Sequence, residues 1–127
     1  MTPDKFTILT VEDEPPMLKA IDFKLTKEGF KVLKATDGEK GLKLALLKHP
    51  DLILLDILLP KIDGLTMLKK LRQDEWGKKV PVILLTNLVM DDRVTRRIVE
   101  DHPAYYLAKS EWRLDDVIAK IKLTLKI

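Results

Sequence analysis

No cysteine occurs in the 127 residues. Disulfides and thiolate metal sites are therefore excluded, which suits a reducing compartment. Long apolar runs are missing too: none approaches the roughly 18 residues that a bilayer span needs. The N-terminal stretch MTPDKFTILT carries an acid and no extended apolar segment, so it does not read as a secretory signal. Together these absences point to a cytoplasmic protein with no membrane partner. A strong charge of one sign is also lacking. The formal net charge is +3, and every basic stretch is interleaved with acids. The densest of them, Lys69, Lys70, Arg72, Lys78 and Lys79, is diluted by Asp74 and Glu75. Aromatic residues make up only 6%, and a base-reading surface would want basic residues on one element together with aromatic or amide side chains. Solvated helix faces are expected there, not direct nucleic-acid binding.

What is present is the composition of one globular domain, 46% hydrophobic and 34% charged, at a length that can bury most of its unfolded surface. Two apolar patterns alternate. Short β-branched or leucine-rich runs at 6–11, 30–35, 52–55, 80–85 and 104–108 predict strands. Between them the spacing is helical. Leu18, Ile21 and Leu25 share a face after Pro15 and Pro16; Leu42, Ala45 and Leu46 follow Asp37 and Gly38; Leu65, Leu68 and Leu71 form a third stripe. Val94 and Ile98 form a fourth behind a candidate cap at Asp91 or Asp92, and Leu114, Val117, Ile118, Ile121 and Leu125 a fifth. Such alternation predicts an α/β, doubly wound (βα)5 sandwich: a parallel sheet covered by helices on both faces. The runs at Ile8, Ile53 and Ile83 are continuous, as central strands require. The run at Phe30, broken by Lys31 and Lys34, suits an edge.

Ligands of open parallel sheets bind beyond the carboxyl ends of the strands. After the first strand come Glu12 and Asp13, after the third Asp56, after the fourth Thr86 and after the fifth Lys109. Three crowded carboxylates repel one another, and a hard cation such as Mg²⁺ relieves that repulsion with oxygen ligands. A carboxylate can also attack phosphorus to give an acyl phosphate. Phosphoryl transfer needs charge neutralisation and alignment, which a metal and a lysine ammonium supply, while a threonine hydroxyl can bond a phosphoryl oxygen.

At these residues the chain resembles the receiver domain of response regulators, the CheY-like, flavodoxin-like module of two-component signalling. The resemblance rests on ILTVEDEP, DLILLDILLPKIDG, VPVILLT and YYLAKS, in family order and separation. It covers essentially the whole chain and so implies a single receiver domain over 1–127, with strand order 2-1-3-4-5. It implies Asp56 as phosphoacceptor, with Mg²⁺ held by Asp13, Asp56 and the backbone carbonyl of Leu58, and by Glu12 through water. Lys109 would bind the phosphoryl group, Thr86 would be the switch hydroxyl, and Tyr106 the aromatic that changes rotamer. The implied function is a phosphorylation-activated switch that modifies only itself and is not an enzyme with a separate substrate. Its implied partners are a histidine kinase or phosphotransfer protein and a downstream effector protein or domain, read out around the fourth helix, fifth strand and last helix. A homodimer through the last helix stays open, as does whether the chain stands alone or belongs to a larger protein.

Each residue also has a plainer reading. A lone aspartate at a strand end caps or turns the chain. Thr86 fits a strand, Lys109 solvent and Tyr106 the core, and His49 and His102 read as structural or solvent-facing. Two other functions compete. One is an aspartyl-phosphate hydrolase, which would want an acid where Leu58 stands. The other is a phosphorylation-independent binding module, which Ser110 after Lys109 (the family usually has a cis-linked proline) and Asn87 after Thr86 leave open. A non-proline cis bond costs about 2.5–4 kcal/mol, so a trans Lys109–Ser110 bond is expected. Leu58 and Leu88, two places after Asp56 and Thr86, cannot orient a water by hydrogen bonding. Slow self-dephosphorylation is therefore expected.

Overall fold

The computed structural model describes residues 6–86, 93, 96, 100, 105–108 and 113–127. Five strands, β1 (Thr7–Val11), β2 (Lys31–Ala35), β3 (Leu52–Asp56), β4 (Val82–Thr86) and β5 (Tyr105–Ala108), form one sheet. Their order is β2-β1-β3-β4-β5, and every pairing is parallel. The expected topology is therefore observed. The described helices are α1 (Pro15–Lys27), α2 (Gly38–Lys48), α3 (Gly64–Leu71) and, C-terminal, α4 (Leu114–Leu125). Of the fourth predicted helix only Arg93, Arg96 and Glu100 are described, each helical and exposed. Val94, Ile98 and the candidate caps Asp91 and Asp92 lie outside the described residues. Among the described residues, no helix is long and apolar enough to cross a membrane.

Side chains alternate across each strand and divide the core into two layers. Leu9, Val11, Ile53, Leu55, Val82 and Leu84 face Ala45 of α2 and Leu65, Met67, Leu68 and Leu71 of α3. Ile8, Leu52, Leu54, Ile83 and Leu85 face Ile21 and Leu25 of α1 and Val117, Ile118 and Ile121 of α4. β3 is buried along its whole length because it lies mid-sheet under both layers, whereas β2 exposes Lys31 and Lys34 at the edge. Local chemistry starts the helices where the sequence suggests. Pro15 and Pro16 open α1, where missing N–H groups cost nothing. Asp37 caps α2 through Lys40 N–H at 2.8 Å, and Asp63 caps α3 through Thr66 N–H at 2.9 Å. On the α1–α4 side, Lys24 pairs with Asp115 at 2.8 Å and Lys122 with Glu28 at 3.5 Å.

Several expectations need correction. Leu46, read as a core position, is 37% exposed, and Leu44 packs in its place beside Leu42. The small residues Gly41 and Ala45 let α2 approach closely, so the buried stripe centres on them and Leu46 falls at its margin. β4 begins at Val82, two residues later than expected. Pro81 cannot donate to a ladder, and the Val80 carbonyl is taken by Arg72 Nη1 at 2.7 Å. That guanidinium also bonds Gly77 O at 2.7 Å, so Arg72 is a clasp for the segment after α3 and not a solvated base. Ile57 lies just past the end of β3 yet stays in the core at 2% exposure. His49 closes α2 in the left-handed region (φ 48°) and stacks on Trp76, with centroids 4.2 Å apart and an interplanar angle of 8°. His102 lies outside the described residues.

Candidate functional site

The site is built where β1 and β3 end side by side. Register pairs Val11 with Leu55, so the next residue along each strand is an acid, Glu12 and Asp56. Glu12 extends the sheet, its N–H bonding Ala35 O at 3.0 Å, and its side chain is 2% exposed. One Glu12 oxygen, Oε2, accepts the N–H of Asp13 at 3.0 Å, which holds the carboxylate over the turn into α1. Asp13 itself is exposed. Asp56 is the last residue of β3 and 4% exposed, and its Oδ1 accepts the N–H of Leu58 at 3.2 Å. One oxygen from each of Glu12, Asp13 and Asp56 lies within 4.8 Å of the other two.

Two buried carboxylates and one wet carboxylate, all offering hard oxygen atoms, form a donor set that suits a divalent cation. Holding three negative charges this close is unfavourable in the low-dielectric rim of a sheet unless a cation or donors compensate. The surrounding chain supports the arrangement. The Gly64 N–H bonds Ile57 O at 2.7 Å, and a Cβ at Gly64 would overlap the carbonyl oxygen of Asp56, so only glycine lets α3 start against the end of β3. Leu58 projects outward at 52% exposure.

The other expected participants are placed unevenly. Thr86 ends β4, its backbone opposite Ala108 in β5, so it reaches the same carboxyl rim. Tyr106 pairs with Leu84 one step below the Leu85–Leu107 pair. Lys109 and its neighbour Ser110 lie outside the described residues, as do Asn87 and Leu88. The close approach at Gly64 was missed as such by sequence reasoning, although the Asp63-Gly64 pair within KIDG carried its signal. The Thr10 hydroxyl, two register positions before the acids and without a hydrogen-bond partner among the described residues, had no sequence signal at all.

With this geometry in hand, comparison with known proteins decides the family. The model of the response regulator receiver domain matches residues 8–122. The chain belongs to that family. Over 81 residues this receiver is 43% identical to the DNA-binding dual master transcriptional regulator RpaA of Synechocystis sp., covering 64% of the chain and 34% of that protein. The receiver spans about a third of the length of the curated relatives it matches. Among solved structures it is similar to a CheY-like receiver domain protein from Methanospirillum hungatei JF-1 (TM-score 0.87, 25% identity, 95% of this chain and 94% of that one). It is also similar to the receiver domain of the sensor histidine kinase PA1611 from Pseudomonas aeruginosa PAO1, whose structure has a magnesium ion coordinated in the active site cleft. That likeness has a TM-score of 0.82 at 28% identity and covers 92% of this receiver and 94% of that one.

Proposed function

We propose that this receiver is a phosphorylation-activated switch whose acceptor is Asp56, working with Mg²⁺. The observation that carries the reading is the meeting of Glu12, Asp13 and Asp56, with one oxygen of each inside 4.8 Å. Asp13, Asp56 and the Leu58 carbonyl would hold the cation, and Glu12 would act on it through water. When bound, the cation supplies charge neutralisation for the carboxylates and the incoming phosphoryl oxygens. An Asp56 oxygen attacks phosphorus, an O–P bond forms, and the bond from phosphorus to the donor breaks, leaving an acyl phosphate. The Leu58 N–H on Oδ1 fixes the orientation of that carboxylate. Thr86 and Lys109 would take the phosphoryl oxygens, and Tyr106 would report the change along β5. Differential binding of the phosphorylated rim shifts an existing equilibrium between two conformations.

The partners in this reading are a histidine kinase or phosphotransfer protein upstream and an effector downstream. No turnover on a separate substrate is part of it: the residue two places after Asp56 is an exposed leucine, not the acid a hydrolase would use. The test is intact mass after incubation with acetyl phosphate, with and without Mg²⁺. One phosphoryl adduct in the presence of Mg²⁺, absent from Asp56→Asn, is expected. No adduct would favour a binding module, and continuous phosphate release would favour a hydrolase.

A further inference from the structure

Residues 57–63, which join β3 to α3 and carry Leu58, are held against two helices. At one end the Gly64 N–H bonds Ile57 O at 2.7 Å; in the middle the Gly38 N–H, at the start of α2, bonds Pro60 O at 3.3 Å. Lys61 between them adopts φ 72°, in the left-handed region a lysine rarely occupies. This turn brings the backbone of Pro60 and Ile62 onto α2. A Cβ at Gly38 would overlap the Ile62 carbonyl oxygen and approach Ile62 Cγ1 to 2.7 Å. One turn further along, the Cβ position of Gly41 lies 2.9 Å from both methyls of Val11, the residue before Glu12. The N-terminal turns of α2 therefore touch both chain segments that deliver the acids.

We propose that Gly38 is a positioning residue for the acid cluster: its missing side chain lets α2 close on the 57–63 loop, and that closure sets the Leu58 backbone against Asp56. The inference rests on reading Glu12, Asp13 and Asp56 as a divalent-cation site. A side chain at Gly38 pushes the loop off α2, and the backbone of Leu58 moves with it. Groups that orient metal ligands without touching the metal commonly change affinity by roughly 10- to 100-fold.

Calorimetric titration of the full chain with MgCl₂ tests this. Gly38→Ala is expected to weaken Mg²⁺ binding by roughly tenfold or more. The control is Gly77→Ala, whose Cβ would overlap a backbone oxygen in the same way, that of Leu71, in the segment clasped by Arg72. It should bind Mg²⁺ as the unmodified chain does. Unchanged affinity in Gly38→Ala, or an equal loss in Gly77→Ala, overturns the proposal. A measurement on the unmodified chain removes any dependence on the variant folding. Coupling is reciprocal, so Mg²⁺ must slow hydrogen exchange at the Gly38 N–H relative to the Asp37-capped N–H of Lys40. No slowing overturns the proposal. Failure of the unmodified chain to bind Mg²⁺ overturns instead the reading of the site beneath it.

Discussion

Replacing Thr10 with valine exchanges a hydroxyl for a methyl at a site 1% exposed, where the oxygen has no hydrogen-bond partner among the described residues. Thr10 sits in the middle of the sheet, paired with Lys34 of β2 and Leu54 of β3. Burying such a hydroxyl without a partner costs about 1–3 kcal/mol. Both residues are β-branched, so strand propensity and χ1 freedom hardly change. The added methyl gains at most about 0.8 kcal/mol from burial, part of which is offset by its slightly greater size. The net expectation is a stabilisation of about 1–2 kcal/mol. For a chain of this length that raises Tm by about 4–8 °C and the urea midpoint by about 0.5–1 M, with an unchanged m-value. Thr10→Ala removes the hydroxyl but opens a cavity, so it should not share the gain. Urea melts of the two variants decide the matter. A loss of about 1 kcal/mol or more in Thr10→Val would refute the reasoning, because it would mean the hydroxyl is satisfied in solution.

Leu58→Asn supplies an amide able to orient water beside the acyl phosphate, so the phosphorylated form should decay faster than the unmodified one; fast decay in both, with no difference, would sink the expectation of a long-lived phosphoryl group. Arg72→Ala strips a charged donor from Gly77 O and Val80 O, and should lower stability by about 1.5–3 kcal/mol in urea melts; a change within about 0.5 kcal/mol would show that the clasp carries no weight. The Lys24–Asp115 pair gives a pH signature. The hydrogen bond to Lys24, then its charge, lowers the Asp115 pKa, while the same contacts raise that of Lys24. Its contribution is thus present above the ordinary carboxylate range and below the ordinary lysine range, fading as acid protonates Asp115 and as alkali deprotonates Lys24. Asp115→Asn should flatten both arms slightly, the pair being exposed; parallel pH profiles for the two proteins would contradict this.

The sheet was legible because burial on both faces leaves a direct trace: Leu52 to Leu55 form an unbroken apolar run, while Lys31 and Lys34 interrupt an edge. The acids were legible for a related reason. A strand that ends in a carboxylate announces its rim, and residues that end parallel strands share that rim. Features made by distant segments left no such trace. Leu46 looked like core because period alone cannot say that Gly41 and Ala45 draw the helix in closely. Arg72 looked solvated because its carbonyl partners are set by the path of the chain after α3. The His49–Trp76 stack and the burial of the Thr10 hydroxyl depend equally on tertiary neighbours. Lys109, whose role stands on the family resemblance, falls outside the described residues and stays an expectation.

The central claim is that Asp56 is the phosphoryl-accepting group of a Mg²⁺-dependent transfer. It is tested most directly by fragmenting the acetyl-phosphate-treated protein into peptides and locating the modification. The account predicts a phosphoryl group on Asp56, present only when Mg²⁺ was supplied. A phosphoryl group on another side chain, or one on Asp56 formed equally well without the metal, would contradict it.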